Sequence, residues 1–182
     1  MSAAPKPSRH FNPYARLMHW LMAPLVIAML FIGIGMVATL SPLHQTLLSI
    51  HKPLGIAILI LVAIRFGVRI THRVPPLPDD MPRWQRGIAH LSHWVFYALL
   101  LAMPLVGWSM LSAGGFPIHL FGPVNLPPIL PQDVRLYAFL RAAHTWLALA
   151  LFATFLAHLG AALFHGLIRR DGVFSSMARG RD

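Results

Sequence analysis

Four histidines, His19, His51, His144 and His158, lie inside apolar stretches of the chain. An ionisable side chain at membrane depth is costly, so those that occur tend to mark ion paths, proton relays or bound ligands. Spacing narrows the chemistry. His144 and His158 are fourteen residues apart on one expected helix. Fourteen residues make nearly four turns, so both rings leave nearly one face, about 21 Å apart along the axis. One helix thereby offers a nitrogen ligand near each side of a bilayer, an arrangement that suits two stacked haems.

The elements that must position these rings follow from composition. The chain has 182 residues, 57% hydrophobic and 11% charged, with a mean hydropathy of +0.64. A soluble domain carries about 25% charged residues, so this chain belongs in lipid. It has no Cys, which excludes disulfides, thiolate chemistry and cysteine-ligated clusters. With no Glu and five Asp, it is poorly supplied for a di-metal carboxylate site. A net charge of +10 raises nucleic acid as a partner. The charges fall between apolar spans, however, so membrane topology accounts for them and no nucleic acid is expected.

A helix needs about 20 apolar residues to cross a bilayer. Four runs qualify, at 15–40, 52–70, 88–112 and 136–168. They predict an all-α membrane protein, a four-helix transmembrane bundle forming one domain over 1–182. The fourth run exceeds a single span and is expected to tilt or protrude. The first, Leu17 to Leu40, follows a basic start but outruns the roughly 7–15 residues of a signal-peptide core and lacks a small-residue cleavage site. It reads as a retained span. A proline-broken loop, Val74 to Pro82, separates the second and third runs, and a glycine- and proline-rich loop separates the third and fourth.

Lys and Arg set the orientation. Lys6, Arg9, Arg16, Arg65, Arg69, Arg73, Arg83, Arg86, Arg169, Arg170, Arg179 and Arg181 gather on one side; Lys52, Arg135 and Arg141 lie on the other. Twelve against three predicts that both termini are cytoplasmic in a bacterial inner membrane. Trp20, Trp84 and Trp94 fall near the inner interface and Trp146 near the outer one, compatible with aromatic belts.

Topology then sets depth. His19 opens the first helix and lies inward; His51 opens the second and lies outward. The fourth helix runs from outside to inside, so His144 is outer and His158 inner. The expected pairs are His51 with His144 and His19 with His158. Two imidazoles on opposite faces of a macrocycle give a six-coordinate haem iron, and ligation satisfies the buried ring nitrogens. A histidine in a membrane helix also serves as a hydrogen-bonding partner between helices. A closed zinc site wants four ligands at one place, whereas these fall on two levels.

Arg16 precedes His19 by one turn, Arg141 precedes His144 by one turn, Lys52 adjoins His51, and Arg65 shares the face of His51 fourteen residues on. All four are candidate partners for anionic haem propionates. Snorkelling is an adequate alternative for Arg16 and Arg65, but less so for Lys52 and Arg141 on the sparsely charged side. Gly33, Gly35, Gly55, Gly107 and Gly160 permit close helix approach; Gly55 and Gly160, near ligands, could also leave room for a macrocycle.

Four segments carry a family resemblance. They are Arg16-Leu17-Met18-His19-Trp20, His51-Lys52-Pro53-Leu54-Gly55, Ala89-His90-Leu91-Ser92-His93, and the fourth run with His144, His158 and His165. Over nearly its whole length the chain resembles the prokaryotic cytochrome b561 family, four-helix di-haem b proteins of the bacterial inner membrane. The resemblance implies two haem b groups with His19, His51, His144 and His158 as axial ligands. It implies electron exchange with ubiquinone, and His93 and His165 match positions of a quinone site. One type of member is a superoxide oxidase, taking electrons from superoxide at the periplasmic face. For His93 and His165 the alternative is an interfacial role against headgroups or propionates.

The expected function is therefore electron transfer between a periplasmic donor, superoxide or a donor protein, and the ubiquinone pool. One rival is the cytochrome b subunit of a hydrogenase or dehydrogenase, which would copurify with an iron–sulfur partner. A rival of another class is a histidine-lined cation or metal transporter. It would need polar residues between the two histidine levels, and the spans there are almost uniformly apolar.

Overall fold

The computed structural model describes residues 10–72, 74–78 and 80–179. Lys6, Arg9, Arg73 and Arg181, which entered the charge count, lie outside the described residues, as does Asp79.

Four long helices dominate. Helix α1 spans Pro13–Ala38; Asn12 caps it, its side chain accepting the Tyr14 N–H at 2.8 Å, with proline in the first turn. Both features are favoured at helix starts. Helix α2 spans Leu43–Thr71 and α3 spans Arg83–Ala113. Helix α4 spans Val134–Leu163, and the Asp133 carboxylate caps it by accepting the Arg135 and Leu136 N–H groups. It runs on into a π-helical turn, Phe164–Arg169. A short helix, α5, follows at Val173–Ala178. Between α3 and α4 lies an antiparallel hairpin of β1 (Ile118–Phe121) and β2 (Val124–Leu126). Among the described residues, four helices are long and apolar enough to cross a membrane, the fourth counted through Arg169.

The second helix begins well before the expected position. Pro42 starts it, and the polar residues that follow are satisfied locally. His44 Nδ1 bonds the Met36 carbonyl at the end of α1, and the Ser49 hydroxyl donates to the Thr46 carbonyl. His51 is thus eight residues inside α2, about 12 Å from its start, rather than at its opening. Pro24, Pro53 and Pro104 all lie within helices, as membrane helices tolerate.

Successive helices run antiparallel. Arg65, late in α2, lies near His19, early in α1, and near His93, early in α3. Gly107, late in α3, faces His144, early in α4. The starts of α1 and α3 and the ends of α2 and α4 form one end of the bundle, here the basal end. The hairpin lies at the other, distal end. The small buried cluster of Met22, Val62 and Tyr97, with Leu59, Leu61, Phe66, Leu100 and Leu101 around it, comes from α1, α2 and α3 alone. In α4 only Leu151 is buried. Among the long helices α4 packs closely only along α3 and barely meets α1 or α2.

Candidate functional site

The histidines meet on two levels. At the distal level His51 of α2 faces His144 of α4, with ring centres 6.2 Å apart and planes at 67°. Nδ1 of each ring is buried and has no hydrogen-bond partner among the described residues. The Met103 carbonyl of α3 approaches the His144 ring, yet Nδ1 finds no acceptor in bonding geometry. Gly107 makes room for this ring: a Cβ there would sit 3.3 Å from His144 Cε1.

At the basal level His19 of α1 faces His158 of α4 at 6.3 Å and 64°. A third imidazole, His93 of α3, stands 6.2 Å from His158. Phe96 packs edge-on against His158, and Trp20 against His19. His93 Nδ1 bonds its own helix at the Ala89 carbonyl, 2.7 Å away, which leaves Nε2 for another partner. Arg65 reaches this level and interacts electrostatically with His19, His93 and His158. Its Nη1 is buried without a partner among the described residues.

The remaining candidates have different settings. Arg16 donates to the Met177 and Ala178 carbonyls, at 3.3 and 3.4 Å, and Trp20 Nε1 donates to Met177 as well. The Arg16 cation and the Trp20 donor serve the carbonyl end of α5, where positive charge is favourable. Lys52 Nζ donates to the Pro117 carbonyl at 3.2 Å, tying α2 to the hairpin. Arg141 is exposed on α4 beside Tyr137 and Thr145. His165 is buried in the π-helical turn, where its Nδ1 lies 2.6 Å from the Asp171 carboxylate.

That last contact belongs to a polar cluster sequence reasoning missed. Arg169 pairs with Asp80 at 2.5 Å and Asp171 at 3.3 Å, and Gln85 of α3 reaches both His165 and Arg169. The scarcity of acids was the available signal. In a chain with five acidic residues, Asp133 caps α4 while Asp80 and Asp171 both hold the basal cluster.

Each imidazole pair bridges helices that barely touch, because α4 stands off from α1 and α2. A metal bound to two facing imidazole nitrogens, at about 2 Å from each, holds the ring centres about 6 Å apart. Both pairs have that spacing, and the distal pair has ring nitrogens that nothing else in the described chain satisfies. The donor set is wholly imidazole and therefore fits a bis-histidine haem iron.

A family model described as prokaryotic cytochrome b561 matches residues 10–180. The chain belongs to the prokaryotic cytochrome b561 family. It is 32% identical over 181 residues to "Cytochrome b561 homolog 2" of Escherichia coli K12, covering 97% of this chain and 95% of that one. It is 30% identical over 160 residues to "Probable superoxide oxidase CybB" of Yersinia pestis, covering 87% and 90%. "Cytochrome b561 homolog 1" of Escherichia coli K12 is 30% identical over 128 residues, covering 70% and 72%. Family and apolar helices together make this cytochrome b561 a multi-pass membrane protein that binds haem b and transfers electrons.

Proposed function

We propose that this cytochrome b561 holds two haem b groups and moves electrons between a donor at the distal face and ubiquinone at the basal face. The observation that carries the reading is the pair of facing imidazoles at each level, 6.2 and 6.3 Å between ring centres, bridging helices that otherwise stand apart. His51 and His144 hold the distal haem, and His19 and His158 the basal one. Haem b, when bound, supplies a one-electron redox centre at its iron.

The chain's own residues set the conditions around these centres. The Met103 carbonyl stands ready for a ring N–H of His144, the type of outer contact that fixes a ligand's tautomer. Gly107 admits the His144 ring at close range. Arg65, with a buried and unsatisfied nitrogen at the basal level, is a partner for an anionic propionate, which would complete its hydrogen bonding. Arg16 is committed to the carbonyls of α5, so its contribution is to close the bundle beside His19.

The basal end carries the basic excess, which supports both termini lying in the cytoplasm of a bacterium and the protein lying in its inner membrane. At the distal face Lys52 keeps two N–H donors beyond its bond to Pro117, since an ammonium has three. Arg141 is exposed at the surface. Both would attract an anionic donor, and superoxide is the one named for a relative. Two superoxide ions release two electrons and two dioxygen molecules; one ubiquinone takes both electrons with two protons and becomes ubiquinol. His93, whose Nε2 is left over from its own helix bond, and His165 both lie at the basal end, and these two are the candidates for quinone contact.

The deciding measurement is haem content. Pyridine haemochrome absorbance against protein concentration should give two haem b per chain. A reproducible value of one, with no haem lost in purification, would overturn the two-level assignment.

A further inference from the structure

Around His165 the hydrogen bonds close into a ring. His165 Nδ1 meets Asp171 Oδ2 at 2.6 Å; Asp171 Oδ2 accepts Arg169 Nε at 3.3 Å; Arg169 Nη1 donates to Gln85 Oε1 at 3.4 Å; and Gln85 Nε2 faces His165 Nε2 at 3.5 Å. With His165 neutral, the polarity of every member is determined. A carboxylate only accepts and a guanidinium only donates. The proton of the neutral imidazole is therefore on Nδ1, and Gln85 must turn its amide nitrogen towards Nε2. The Asp171 contact is short and its side chain, like that of His165, is 9% exposed. The Gln85 contact lies beyond the usual N–H···N range. The ring therefore has one firm joint and one that exchanges readily, and the exchangeable joint is the Nε2 end.

The backbone is shaped for this purpose. The π-helical turn Phe164–Arg169 closes with the Arg170 N–H on the His165 carbonyl at 2.8 Å, and Arg170 takes a left-handed conformation with φ 51°. The widened turn swings Asp171 back beneath His165, and the Val173 N–H at the start of α5 holds the other carboxylate oxygen at 3.2 Å. Single π turns inside helices occur often at functional sites. Asp80, from the loop before α3, fixes the far side of Arg169.

We propose that Asp171 is the positioning residue that makes His165 the proton donor to the basal quinone. This rests on the quinone reading above. In each of two cycles the Nε2–H bond of a cationic His165 breaks and an O–H bond forms on the reduced quinone. The ring returns to its neutral form with Nδ1–H still on Asp171, and water at the basal end restores the Nε2 proton. The electrons come from the distal donor, so the balance is quinone, two electrons and two protons to quinol. Asp171 supplies the counter-charge for the cationic ring and holds Nδ1, so the Nε2 end, met by the long Gln85 contact, is the end that exchanges a proton.

The test uses the haem-loaded protein, reduced beforehand and mixed with ubiquinone-1, following haem reoxidation across pH. Asp171→Asn should slow the saturating rate by about tenfold or more, a part of the roughly 100- to 10,000-fold that positioned acid–base groups contribute. It should flatten the wild-type pH profile, leave the half-saturating ubiquinone-1 concentration within about twofold, and be largely rescued by Asp171→Glu. Nitrogen-15 spectra of wild-type His165, identified by loss of its signals in His165→Gln, should show the proton on Nδ1, and this needs no haem-retaining Asp171 variant. A proton on Nε2, or an Asp171→Asn protein with the wild-type rate and pH profile, overturns the proposal. A wild-type protein that ubiquinone-1 does not reoxidise overturns the quinone reading, and this proposal with it.

Discussion

His51 and His144 bring their rings to 6.2 Å although the helices that carry them, α2 and α4, scarcely touch. Side chains that meet across a gap between backbones leave space on either side of their contact. The same relationship holds for His19 and His158 at 6.3 Å.

Ligand pairing follows from this geometry. His51→Ala and His144→Ala should remove or alter one haem, and His19→Ala and His158→Ala the other, each variant keeping about one haem per chain. Low-temperature visible spectra and redox titration separate the two components. Variants of His19 and His158 that disturb different components would contradict the pairing.

Gly107 gives a finer test at the distal level. An added methyl would lie 3.3 Å from His144 Cε1, closer than ordinary contact, so the ring must shift by a few tenths of an ångström. Gly107→Ala should therefore keep both haems with the distal component's potential displaced, and Gly107→Val, with a branched Cβ, should lose that haem. The basal component serves as internal control. Retention of two unaltered components in Gly107→Val would show that His144 does not occupy a tight slot.

Lys52 and Arg141 bear on the donor. If superoxide reduces the distal centre, Lys52→Gln and Arg141→Gln should each lower the rate of haem reduction severalfold at low salt. Screening acts beyond about 8–10 Å at physiological ionic strength, so the wild-type advantage should shrink as salt rises and the variants should show less salt dependence. Both haems should be retained. A wild-type protein that superoxide fails to reduce on the stopped-flow timescale would remove superoxide as the donor.

Long apolar runs and histidine spacing were legible in the sequence because both depend on a single helical period. The partners of the charges were not. Arg16 reads as a propionate ligand or a membrane anchor until α5 is seen to return its Met177 and Ala178 carbonyls to that guanidinium. Lys52 likewise meets a hairpin carbonyl sixty-five residues away. The start of α2 was obscured because His44, Gln45 and Ser49 look like loop residues, and only the facing end of α1 shows how the first of them is satisfied. The π turn at His165 left no periodic trace, since the side-chain partners of its buried ring come from α3 and from the segment after the turn.

The separation of α4 from α1 and α2 bears on how the molecule is put together in the cell. The apolar cluster joins α1, α2 and α3, while α4 leans on α3 and is latched at its basal end by the ring around Asp171. Inserted without cofactor, α1 and α2 have each other to pack along and α4 has α3, whereas α4 has no such seam with α1 or α2. The imidazoles of α4 are then its main handles on α1 and α2. Cofactor loading would thus be the step that fastens α4 across to α1 and α2, and a chain starved of haem would leave that side of the bundle open to the membrane's proteases.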